Sequence, residues 1–65
     1  MSTDDRREGY IVEYVVVGKS VKVTAFDPLT LREVSIVGDT KVPKHQLAEL
    51  AIRKLNYVLG KEKDE

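Results

Sequence analysis

An α+β fold is predicted for this chain: a three-stranded antiparallel β-meander with one C-terminal α-helix packed on one face, in the order β-β-β-α. Three observations predict it. Apolar and polar residues alternate over Tyr10–Val17, Ser20–Asp27 and Arg32–Gly38, the period of half-buried strands. Gly18-Lys19 and Pro28-Leu29-Thr30-Leu31 separate these runs as turn signals. Apolar residues then recur at helical spacing over Pro43–Leu59.

The first hairpin has a testable register. With Gly18-Lys19 as a two-residue loop, glycine at its first position suits a type II′ turn. Val17 then faces Ser20, and the pairs Val16/Val21, Tyr14/Val23 and Val12/Ala25 make one apolar face. The opposite face is mixed, with Val15/Lys22, Glu13/Thr24 and Ile11/Phe26. In the second hairpin Asp27 caps its own turn and Pro28 presets φ for the loop. With Asp27 facing Arg32, Ala25/Val34 and Val23/Ile36 fall on the same apolar face. Two separate turn assignments therefore select one core face. The last loop residue, Leu31, falls where φ > 0 is wanted, so strain is expected there.

The helix is expected to begin near Pro43, whose missing N–H suits a first turn. Leu47, Ala48, Ala51, Ile52, Leu55, Val58 and Leu59 form its apolar stripe, and Gly60 is read as a C-terminal stop. Residues 1–8 and 61–65 are polar and charged and are read as disordered tails around a single domain of residues 9–60.

At 65 residues the chain has room for one domain, and cysteine is absent. Disulfides and thiolate metal sites are thereby excluded. A domain this small buries only about 60% of its unfolded surface, which makes association an expected source of stability. The cysteine-free composition, the lack of an apolar signal core in the first residues and the lack of an apolar stretch of ~20 residues lead to the expectation of a cytoplasmic protein with no membrane partner.

The face opposite the helix is the candidate interaction surface: Ile11, Val15, Val17, Lys22, Phe26 and Val37. The first run, carrying Val15-Val16-Val17, is read as a sheet edge and so as a second route to pairing. The expected role is that of a small non-catalytic protein that forms a homodimer or binds a protein partner through this face or this edge. Single exposed apolar residues need no such role, but a contiguous group can mark an interaction site; the alternative is that the tails or a bend of the sheet cover it.

A weak nucleic-acid-binding module using the same face is the alternative. A three-stranded sheet backed by a helix resembles some plant and integrase DNA-binding domains. Against it stand the balance of eleven basic and eleven acidic residues and a single aromatic, Phe26, on the face. Catalysis has no constellation to support it. His45 is the only histidine and sits in a helix first turn, while Asp27 and Asp39 lie at turns where capping is the ordinary role. Tyr57 is expected at the core rim. The expectation is therefore of no catalytic residue, metal, cofactor or small-molecule ligand.

The strings Gly9–Tyr14, Asp27–Thr30, Glu33–Asp39 and Arg53–Leu59 resemble those of a family of short bacterial proteins of unknown function, over nearly the whole chain outside the tails. That resemblance implies no activity, cofactor or site residue. The family pattern has glycine where this chain has Leu31, so the loop departs from it.

Overall fold

A computed structural model of the protein describes the backbone of residues 2–7 and 9–63, with side chains over residues 9–61. The strands are β1 (Ser2–Arg7), β2 (Tyr10–Val17), β3 (Ser20–Asp27) and β4 (Arg32–Asp39), and the helix is α1 (Lys44–Lys63). The three expected strands and the helix are present. All strand pairs are antiparallel in a four-stranded sheet of order β1-β2-β3-β4.

The expected registers hold: Val12 pairs with Ala25 and Tyr14 with Val23, while Val23 pairs with Ile36 and Ala25 with Val34. Gly18 takes φ 60° and Lys19 does not take a positive φ, the combination of a type II′ turn. Val12, Val23, Ala25, Ala48, Ala51 and Leu55 are fully buried between sheet and helix. Tyr14, Val21, Leu47 and Ile52 complete the buried set, with Tyr10, Val34, Ile36, Val42 and Leu59 packed at its margin. Small residues in the α1 stripe let the helix approach the sheet closely. Gly38 does the same from β4, since a β-carbon there would lie 2.5 Å from Leu47 Cδ2.

The N-terminal segment corrects the sequence reading. Ser2–Arg7 is a strand, paired from Ser2↔Val15 to Arg7↔Tyr10, where a disordered tail was expected. Residues 1 and 8 of that tail lie outside the described residues. The run Ser-Thr-Asp-Asp-Arg-Arg contains no apolar residue, so no hydrophobic period announces it. Backbone pairing, which any residue but proline can supply, places it there. As a consequence β2 is an internal strand over Tyr10–Val15, and the expected first-strand edge is occupied.

Three smaller differences concern the helix. It starts at Lys44, one residue after Pro43, whose carbonyl accepts from the Gln46 and Leu47 amides at 3.1 and 3.3 Å. It also runs through Gly60 to Lys63, so the tail assigned to 61–65 is helical up to Lys63, and residues 64–65 lie outside the described set. Glycine costs roughly 1 kcal/mol inside a helix, and the good helix formers Lys61, Glu62 and Lys63 carry α1 past it. Finally, Val16 was placed in the core but is 42% exposed. A helix is about 10 Å across and strands are about 4.8 Å apart, so one helix covers two strands. α1 lies over β3 and β4. The long side chains of Tyr10 and Tyr14 still reach it from β2: the Tyr10 hydroxyl donates to Asn56 Oδ1, and Lys44 Nζ sits 5.6 Å from the Tyr14 ring centre. Val12, with Tyr10 and Tyr14 on either side along that face, is fully buried, whereas Val16 lies at the hairpin end of β2 with a tyrosine on one side only.

The β3–β4 loop closes as expected. The buried Asp27 carboxylate accepts from the Leu29 amide and the Thr30 hydroxyl, each at 3.0 Å, and the Leu31 amide donates to the Asp27 carbonyl at 2.8 Å. Leu31 takes φ 63°, where an L side chain crowds its own carbonyl at a cost of about 1–2 kcal/mol. Its side chain is 72% exposed and offers little packing in return. Leu31→Gly is therefore expected to stabilise the protein by about 0.5–1 kcal/mol. A thermal melt in which Leu31→Gly unfolds below wild type would contradict this account of the loop.

Candidate interaction face

The register sorts the outer face of β2, β3 and β4 into rows. Ile11, Phe26 and Glu33 form one end row. Glu13, Thr24 and Ser35 form a middle row, in which the Thr24 and Ser35 hydroxyls hydrogen-bond at 2.9 Å. Val15, Lys22 and Val37 form the next, with Val17 beyond Val15 on β2 beside Ser20 and Asp39. Rows of alternate residues lie roughly 6.6 Å apart along a strand. The apolar side chains thus lie in two groups on either side of a polar belt.

All six residues proposed from the sequence occur on this face. Val17 and Val37 are 68% and 71% exposed, and Lys22 is exposed as well. Ile11, Val15 and Phe26 are half-buried. One hydrogen bond joins Thr24 and Ser35, so the belt presents a linked hydroxyl pair with two carboxylates nearby, Glu13 and Glu33.

The groups considered for chemistry take structural positions. Asp39 Oδ1 accepts from the Lys41 amide at 2.8 Å and shapes the connection to α1. Asp27 organises its own loop. His45 is exposed in the first turn of α1, and Tyr57, expected at the core rim, is 67% exposed. Among the described residues no group of three or more His, Cys, Asp or Glu is placed to hold a metal ion. No helix among them is long and apolar enough to cross a membrane. Sequence reasoning did not find the contact of Lys54 with β4: its Nζ donates to the Ser35 carbonyl at 3.0 Å. Two residues nineteen positions apart on different elements meet only once α1 is docked.

Fold and face together define a small α+β protein whose antiparallel sheet is covered by a helix on one side only. The chain belongs to the family described as a domain of unknown function, DUF6898, whose model matches residues 7–63. No curated protein and no solved structure matches the chain.

Proposed function

We propose that this protein is a small non-catalytic module that self-associates through the open face of its sheet. The observation that carries the reading is the exposure of Val17 and Val37 near half-buried Val15, with half-buried Ile11 and Phe26 across the polar belt, on the face opposite α1. Two apolar groups exposed on one face of a domain with so small a core are stabilised by burial against a like surface.

A second copy fits the pattern of rows. Aligned sheets pack about 10 Å apart, face to face. With a two-fold axis along β3, Phe26 meets Phe26, and Val15 of each copy meets Val37 of the other. Glu13 then lies opposite Ser35 and Glu33 opposite Ile11, so no two carboxylates face each other. Lys22 meets its own copy near the axis, where its long stem lets the ammonium turn to solvent. The occupied edge of β2 removes the alternative route through the first predicted strand.

Sedimentation across a dilution series tests the proposal. The wild-type mass is expected to double as concentration rises. Val15→Lys and Val37→Glu are each expected to hold the monomer mass with unchanged far-ultraviolet circular dichroism. A wild-type chain that stays monomeric at the highest concentration overturns the proposal, as does dimerisation of both variants at the wild-type midpoint. Salt-sensitive retention of a monomeric chain on DNA or RNA would instead favour nucleic-acid binding.

A further inference from the structure

We propose that Lys54 holds the β4 edge of the sheet closed against pairing with β4 of a second copy of this chain. Among the described residues the β4 backbone is a border of the sheet, since the strand order ends with it. A two-residue hairpin loop makes its flanking pair, Val17 and Ser20, a hydrogen-bonded one. Alternation along β3 then directs the Thr24 amide and carbonyl to Glu13 of β2. Its partner on the other side, Ser35, consequently turns its amide and carbonyl away from β3 and out over the edge. Glu33 and Val37, two residues either way along β4, do the same. Such a row of outward donors and acceptors is a template for another strand.

The β4 sequence suits itself as that strand. Antiparallel pairing about a two-fold axis at Ser35 sets Val34 against Ile36 on the helix side and Glu33 against Val37 on the other. No two carboxylates meet, and the two sheets become one of eight strands. The strand contains no proline to prevent this. Lys54 stands at the centre of that register. Its ammonium occupies the Ser35 carbonyl at 3.0 Å, the acceptor through which the first inter-chain bond would form. Pairing would have to displace that bond and bring a second Lys54 to the same axis, setting two like charges beside a partly desolvated strand. α1 docks on β3 and β4, which brings Lys54 within reach of the edge.

The experiment separates edge pairing from association through the face by working in a Val15→Lys background. There, Lys54→Ala and Lys54→Gln are expected to dimerise at a concentration at least about tenfold lower than the chain with Lys54 intact. The amides of Ser35 and Val37 should exchange more slowly in the dimer, because they become paired. Lys54→Arg, which keeps a charged donor, is expected to behave as the parent. Equal masses for the Ala, Gln and Arg variants across the dilution series overturn the proposal. So does a dimer in which Ser35 and Val37 exchange at the parent rate, since its contact lies elsewhere.

Discussion

Leu55→Ala is expected to destabilise the protein by about 2–5 kcal/mol, the range for truncating a buried leucine. Leu55 is fully buried and among the largest side chains in the core. It projects from α1 in the same stripe as Ala48 and Ala51, whose single methyl groups are too short to refill the space. Domains are stabilised by roughly 0.05–0.15 kcal/mol per residue, which for 65 residues is about 3–10 kcal/mol in all. One truncation therefore removes a large part of it. Urea unfolding should show a much lower midpoint with an unchanged slope. Leu29→Ala, at a side chain 92% exposed, provides the comparison and should stay within about 0.5 kcal/mol of wild type. Equal losses for the two variants would mean that α1 is not docked on the sheet as described.

Asp27→Ala is expected to cost about 1–3 kcal/mol, the penalty for leaving donors without their acceptor in a poorly solvated place. Asp27 is 6% exposed and receives both the Leu29 amide and the Thr30 hydroxyl. The Thr30 oxygen in turn accepts from the Arg32 amide at 3.3 Å, so the carboxylate anchors a short chain of bonds across the loop. Asp27→Asn keeps one oxygen acceptor and should lose less. Because the two residues share a bond, Asp27→Ala and Thr30→Ala should combine to less than the sum of their separate effects. Strict additivity in that cycle would show that the bond contributes nothing to loop closure.

Much of this architecture is legible in the chain because its determinants are local. A strand's side chains alternate with period two, so once a turn is located the faces follow. Gly18 and Asp27-Pro28 located both turns, and both assigned Val23 and Ala25 to the core, where they are fully buried. Leu31 was recognisable as the residue forced to φ > 0. The six face residues were legible for the same reason. Ser2–Arg7 was not, since a strand without apolar residues carries no period to detect. Gly9, with φ 84° in the β1–β2 connection, is the one local sign of a turn there. The end of α1 differs from the expectation at Gly60, where glycine in the last turn is tolerated rather than terminal.

By itself the sequence determined the three core strands, their turns, their inward residues and the apolar stripe of α1. Each of these follows from side-chain periodicity or from the conformational limits of individual turn residues. Only the tertiary structure decided that α1 lies over β3 and β4, leaving Val16 exposed, that β1 covers the edge of β2, and that Lys54 reaches the Ser35 carbonyl. Those outcomes depend on the width of a helix relative to a sheet and on backbone groups that every residue carries alike, and neither is written in the pattern of side chains.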